Sequence, residues 1–272
     1  MIRNEAITIK QDGNLLQIAS SLAFCAVVLI LLIFYDALIR FGVGGYDLRT
    51  LHYVNAVFIA LLAIPCIIFL GKIVQENGFK FSFSAKGFKK GMFAHLFFLF
   101  ALFLHLPLAF ITTEINTEFV PMIPPIIFFD LAVGVFEEVL MRGIFMTAML
   151  VRFGETGKGR IFCVLLNGLV FGILHFFDGG FVSVLLTGLL GIGFAAAYVY
   201  SKNLLSCMVV HALWNIALKI SGGLIVDIDN AALLEALRAV GIVLYGAIPL
   251  FAIVLTIKSK PLFKVPEPDA AM

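Results

Sequence analysis

Long apolar runs fill most of this sequence and leave few folds open to it. A window of about 20 residues, the length that a helix needs to cross a bilayer, finds about eight such runs. They lie at residues 15–41, 51–70, 91–111, 125–151, 161–177, 181–200, 204–220 and 239–257. The period-two alternation of a membrane β-barrel is not seen. The sequence therefore predicts an all-α fold, a polytopic membrane helix bundle of about eight transmembrane helices.

The composition supports a membrane protein. Of the 272 residues, 62% are hydrophobic and 13% are charged, whereas a soluble domain of this size needs far more polar surface. We expect a multi-pass integral protein of the cell membrane, in contact with the lipid bilayer, and no nucleic-acid partner. The cysteines lack C-x-x-C spacing and are predicted to be buried thiols. They are Cys25, Cys66, Cys163 and Cys207.

Lysine and arginine are unevenly distributed among the segments that join these runs. If the amino terminus lies inside, the inner segments hold Arg3, Lys10, Lys72, Lys80, Lys86, Lys89, Lys90, Arg152, Lys158, Arg160, Lys202, Lys258, Lys260 and Lys264. The outer segments and span ends hold only Arg40, Arg49, Lys219 and Arg238. Under the positive-inside rule this asymmetry predicts that both termini are cytoplasmic. No linker, low-complexity tract or repeat is visible, so residues 1–272 are expected to form a single integral-membrane domain.

The fourth run contains a cluster of charged residues, which are costly at membrane depth and usually functional there. Glu138 and Arg142 are four positions apart with the acid first, the favourable orientation for an ion pair on a helix. Glu137 points about 100° away from Glu138. We therefore predict that Arg142 neutralises Glu138, and that Glu137 stays available as a general base.

Two further pairs, each with a histidine, lie in later runs. Phe171 and His175 share one face of the fifth predicted helix, and His211 and Asn215 share one face of the seventh. An imidazole beside a carboxylate can orient or deprotonate water. A histidine and an amide one turn apart can donate hydrogen bonds to an oxyanion. Each cluster alone also fits a packing role, but the three together indicate a hydrolytic site in which water is the nucleophile.

The order E-E-x-x-x-R, F-x-x-x-H and H-x-x-x-N resembles that of the CPBP family of intramembrane proteases. This family includes the CAAX proteases, the bacteriocin-processing enzymes and endopeptidases of the Ras-converting enzyme type. The resemblance covers residues 125–220, which would form the protease core. It implies an eight-helix core and a conical cavity open to the cytosol.

The resemblance also implies roles for the residues that match the family motifs. Glu137 and His175 would activate water, and His211 and Asn215 would form the oxyanion site. Glu138, Arg142 and Phe171 would support them. The implied activity is that of an intramembrane endopeptidase, which hydrolyses a peptide bond of a membrane-associated protein or peptide.

The role of metal stays open at the level of sequence. The resemblance favours a glutamate-dependent mechanism that requires no cofactor. Glu137, His175 and His211 could also supply three zinc ligands, although no H-E-x-x-H motif is present.

Two functions of other classes also stay open. A proton-coupled transporter would use the acids and histidines as a relay, but the chain shows no inverted repeat. A non-catalytic immunity or scaffold protein of the same family would retain the motifs without the chemistry.

Two further features carry predictions of their own. Asp130 lies seven residues before Glu137 on nearly the same face, and is expected to support the site or to line the mouth of a cavity. The predicted boundaries place Glu137 near mid-membrane, His175 toward the outer end of its run and His211 nearer the cytoplasm. Helix tilt or a broken helix would be needed to bring the three together.

Overall fold

Helices form nearly all of the described chain. The computed structural model describes residues 2–42, 47–76, 85–96, 98–100, 102, 115–154, 156–225 and 231–260. The helices are α1 (Ile2–Gly42), α2 (Leu48–Glu76), α3 (Ala85–Ala94), α4 (Ile123–Glu138), α5 (Thr147–Phe153), α6 (Gly157–Leu174), α7 (Phe176–Ser201), α8 (Leu204–Leu224) and α9 (Ala231–Lys258). A 3₁₀ turn, Thr117–Met122, precedes α4, and a π-helical stretch, Val139–Met146, joins α4 to α5. Over these ranges β-structure is limited to one bridge between Ile115 and Ile225.

Seven segments of the described chain are long and apolar enough to cross a membrane. They are Leu15–Ile39, Leu48–Gln75, Thr117–Phe153, Gly157–Leu174, Phe176–Ser201, Leu204–Leu224 and Ala239–Lys258. Each corresponds to one predicted run, so the prediction of an all-α polytopic membrane bundle is confirmed. About half of the run predicted at 91–111 falls outside the described residues. The orientation of the termini stays a prediction.

Apolar side chains are exposed along the outside of the bundle, whereas a few charged side chains are buried inside it. Phe177, Phe181 and Ile242 expose 87%, 84% and 74% of their surface, which is unfavourable in water but not in lipid. Glu138 and Arg142 are fully buried. Because polar groups in a bilayer must find partners within the protein, this distribution is the one that a membrane bundle requires.

Glycines allow α6 and α7 to pack closely. A Cβ atom at Gly172 would lie 2.4 Å from the Val184 carbonyl oxygen, and one at Gly168 would lie 2.7 Å from the Ile192 backbone nitrogen. Both distances are too short for a side chain, so only glycine permits this approach. The close contact fixes α6 and its carboxyl-terminal His175 against α7.

Enlarging Gly172 should therefore destabilise the bundle, because the added side chain meets backbone that cannot move aside. We expect Gly172→Leu to cost about 1–3 kcal/mol or more in the free energy of unfolding, measured by titration with a denaturing detergent. Gly71→Leu is the matched control, since a Cβ at Gly71 meets nothing within 4 Å. Equal stability of the two variants would contradict the packing described here.

Candidate active site

The predicted ion pair in the fourth run is present and lies inside the protein. Arg142 Nη1 donates to Glu138 Oε1 at 2.8 Å, and both side chains are fully buried. Arg142 Nη2 also donates to the Gly191 carbonyl oxygen at 3.3 Å. The guanidinium carbon lies 4.6 Å from the centre of the Phe171 ring and 5.6 Å from that of Phe194. The charge of Arg142 is thus balanced by a carboxylate, a carbonyl and two aromatic faces.

The backbone that carries Arg142 is a π-helix. Asn167 Nδ2, on α6, donates to the Met141 carbonyl oxygen at 2.8 Å. Thr147 Oγ1 donates to the carbonyl oxygen of Arg142 at 3.3 Å. These bonds satisfy carbonyl groups in a stretch where the regular helical ladder is altered. Such stretches are frequent at functional sites. The sequence prediction assumed a regular helix here, and the buried polar Asn167 in an apolar run was the signal that it missed.

His211 joins the two glutamates. Its Nδ1 lies 2.8 Å from Glu138 Oε1, and its Nε2 lies 3.7 Å from Glu137 Oε2. Because Glu138 is held as a carboxylate by Arg142, its oxygen accepts and Nδ1 of His211 donates. Glu138 therefore orients the ring so that Nε2 faces Glu137. The predicted pairing of Glu138 included only Arg142, so this second bond is new.

All four candidate catalytic residues line one cavity of about 610 Å³. The residues are Glu137 from α4, His175 from the end of α6, and His211 and Asn215 from α8. Phe171 and Phe194 form part of the same wall. The Glu137 side chain is 24% exposed, whereas Glu138 is completely buried. Residues of all three motifs therefore line one cavity. The predicted boundaries did not explain how they could come together.

His175 stands apart from the two glutamates. It is the residue that ends α6, and its Nδ1 lies 2.8 Å from the carbonyl oxygen of Phe171. Within the described part of the chain it makes no hydrogen bond or ion pair with Glu137. The ion-pair contact of the Glu137 carboxylate is instead with His211, whose Nε2 lies 3.7 Å from Glu137 Oε2. Glu137 and His175 thus line the same cavity. A direct contact between them, as the sequence analysis predicted, is not found among the described residues.

The metal-binding alternative has no preformed ligand set in the part of the chain that the structure describes. No group of three His, Cys, Asp or Glu side chains there is arranged to hold a metal ion. The hydrogen bond to Glu138 also engages one ring nitrogen of His211.

A second ion pair borders the cavity. Lys219 Nζ donates to Asp130 Oδ1 at 2.5 Å, and lies 4.7 Å from the centre of the Phe129 ring. Asp130 is fully buried and is not part of the cavity wall, whereas Lys219 is. Asp130 thus contributes to the cavity through the lysine that it holds.

A comparison with known protein families gives a match over part of the chain. Residues 119–217 match the Rce1-like family of type II CAAX prenyl endopeptidases. The matched segment contains all three motifs and the cavity residues from Phe129 to Asn215, and it confirms the resemblance found in the sequence. No curated protein and no solved structure matches the chain.

The two adjacent glutamates should differ in their effect on stability. Glu138→Gln leaves the Arg142 charge buried without a charged partner, so we expect it to lower the free energy of unfolding by about 3–5 kcal/mol. Glu137→Gln should change stability by less than about 1 kcal/mol, since Glu137 is partly exposed in the cavity and its contact with His211 Nε2 is as long as 3.7 Å. Detergent-titrated unfolding of the two proteins provides the measurement. A Glu138→Gln protein as stable as the wild type would contradict the buried pair.

Proposed function

We propose that this protein is an intramembrane endopeptidase, which hydrolyses a peptide bond of a membrane-associated protein or peptide. One observation carries the proposal. Glu137, His175, His211 and Asn215 come from three separate helices of an apolar bundle and line a single cavity. Ionisable groups at membrane depth are retained mainly for function, and this set contains a base, imidazoles and an amide.

Glu137 is the proposed general base. Its neighbour Glu138 is held by Arg142 and His211, whereas Glu137 is partly exposed in the cavity. The 3.7 Å between Glu137 Oε2 and His211 Nε2 allows one water oxygen to form hydrogen bonds with both groups. Glu137 would take a proton from that water as its oxygen adds to the peptide carbonyl carbon. The same carboxyl group would then give the proton to the leaving amine when the C–N bond breaks.

His211 and Asn215 are the proposed oxyanion donors. They lie one turn apart on α8, so both side chains reach the cavity from one wall. In the proposed mechanism Nδ1–H of His211 stays bonded to the Glu138 carboxylate, and a proton on Nε2 would let that nitrogen donate to the developing oxyanion. The Asn215 amide would supply the second donor. His175, from the end of α6, would orient the water or the substrate as a second imidazole of the site.

The substrate class follows from the surroundings of the site. Phe129, Phe171, Phe194 and Trp214 are among the side chains that wall the cavity, so an apolar segment is favoured over a charged one. The matched family is described as one of prenyl endopeptidases. A membrane-anchored peptide, including a prenylated one, is therefore the proposed substrate.

Removal of the base should abolish cleavage and leave the fold intact. We expect Glu137→Ala in lipid vesicles to lower kcat for a prenylated reporter peptide about 10²–10⁴-fold, with unchanged detergent-titrated unfolding. Glu118→Ala, an exposed glutamate in the 3₁₀ turn, is the matched control and should retain full activity. Full activity of Glu137→Ala would overturn the proposal, as would solute uptake that needs a proton gradient and is lost in this variant.

The same assay addresses metal. Under the glutamate mechanism that we propose, incubation with a strong chelator, checked by elemental analysis, leaves activity unchanged. Activity lost on chelation and restored by zinc would instead assign Glu137, His175 and His211 as zinc ligands.

A further inference from the structure

A groove on the outside of the bundle combines an apolar wall with a charged end. It lies between residues 93–100, the end of α7 and the end of α9, and has a volume of about 440 Å³. Its lining contains one charged residue, Lys258, together with apolar and aromatic side chains: Phe93, Leu96, Phe100, Tyr200, Phe251, Val254 and Leu255. We call it the basic groove, because further lysines lie near Lys258 at the same end.

Lys90 is held at the rim of the basic groove by Tyr200. Its Nζ donates to the Tyr200 carbonyl oxygen at 2.6 Å and lies 4.1 Å from the centre of the Tyr200 ring. An ammonium group has three donors, and the carbonyl accepts one of them. Within the described residues no carboxylate contacts Lys90, Lys258 or Lys260. The rim thus presents positive charge whose position is partly fixed.

Like charges lie close together at this rim. Burial lowers the pKa of Lys202, which follows α7, and the charges of Lys90, Lys260 and Arg160 lower it further. Burial and the charge of Lys260 lower the pKa of Lys90. No carboxylate among the described residues acts on either group in the opposite sense. Because like charges disfavour one another, an anion bound among them would reduce this repulsion.

The basic rim and the candidate active site lie at opposite ends of the same helices. α6 begins near Arg160 and ends beside the cavity residue His175, whereas α7 begins near the cavity residue Asp178 and ends beside Lys202. The cavity also includes Lys219, near the end of α8. The positive-inside rule assigns the basic end to the cytoplasm. Cytoplasmic basic loops and a cavity open to the cytosol, both expected from the sequence, are therefore incompatible in this structure.

The length of the basic groove fits one leaflet of a bilayer. Phe251 lies seven residues before Lys258 on α9, a rise of about 10 Å. The hydrocarbon core of a bilayer is about 30 Å thick, so one leaflet contributes about 15 Å. The groove therefore runs from its lysines, at the level of the headgroups, along most of the apolar depth of that leaflet.

We propose that the basic groove binds an anionic phospholipid of the cytoplasmic leaflet. The phosphate would lie among Lys90, Lys258 and Lys260, since ammonium groups form charge-assisted hydrogen bonds with phosphate oxygens. An acyl chain would pack along the exposed rings of Phe93 and Phe100. The cytoplasmic leaflet supplies such lipids, because its surface is negatively charged. This site is remote from the cavity and does not depend on the proposed function.

Native mass spectrometry of the protein released from lipid nanodiscs measures this binding. The nanodiscs contain equal amounts of phosphatidylglycerol and phosphatidylcholine, which differ in headgroup charge. We expect one phosphatidylglycerol to stay bound to each protein at collision energies that remove phosphatidylcholine. Equal retention of the two lipids by the wild-type protein would overturn the proposal.

Variants of the rim test whether its lysines bind the headgroup. Titration with phosphatidylglycerol should show an affinity about fivefold lower for Lys258→Gln. The triple variant Lys90→Gln/Lys258→Gln/Lys260→Gln should bind about a hundredfold more weakly. Lys158→Gln, which changes an exposed lysine at the same end but outside the groove, is the matched control and should bind normally. An equal loss in Lys158→Gln would show attraction by overall surface charge and would overturn a defined site.

A second pair of variants tests the apolar part of the groove. Val254→Trp places an indole where the acyl chain would lie, and should lower the affinity for phosphatidylglycerol about tenfold or more. Val243→Trp, at an exposed position of α9 outside the groove, is the matched control. Detergent-titrated unfolding should be unchanged in both, because both positions are exposed.

The same measurements distinguish a lipid from other occupants. Glycerol phosphate, the soluble part of the headgroup, should not displace the bound lipid even in excess, because it lacks the acyl chains. Displacement by glycerol phosphate would indicate a site for free phosphate and would overturn the lipid assignment. A dimer without bound lipid, dissociated by Val254→Trp but not by Val243→Trp, would assign the groove to a second copy of the chain instead.

Discussion

The buried contact between Arg142, Glu138 and His211 organises the candidate active site of this protein. A carboxylate without a cation would be strongly unfavourable inside an apolar bundle, and so would a guanidinium without an anion. Together they are tolerated, and the Glu138 oxygen at 2.8 Å also holds the ring of His211. The ion pair therefore has a second effect, since it sets which nitrogen of His211 faces the cavity.

The parts of the site that follow from local geometry could be predicted from the sequence. Glu138 and Arg142 are one turn apart, so their pairing needs only a helix. Contacts between distant segments could not be predicted in the same way. The bond from His211 to Glu138 and that from Asn167 to the Met141 carbonyl depend on how α8 and α6 pack beside α4. The apolar runs specify the helices, but they do not specify which faces meet.

Lys219 shows how an exception to a pattern can carry information. The sorting of basic residues placed it on the outer side, where few others lie. Its partner Asp130, 89 residues earlier, is evident only in the folded chain. The sequence analysis predicted both cytoplasmic termini and a cavity that opens to the cytosol. The distribution of basic residues, compared with the position of the cavity, shows that these two predictions are not compatible.

The site depends most on one contact, in which Glu138 holds His211 through Nδ1 and directs Nε2 toward Glu137. Nitrogen-15 NMR of the histidine-labelled protein in lipid bilayers measures this directly, with His211→Gln used to assign the signal. A proton on Nδ1 of His211 with the shift of a strong hydrogen bond, weakened in Glu138→Gln, is the predicted result. An unprotonated Nδ1, or a signal unaffected by Glu138→Gln, would contradict the account.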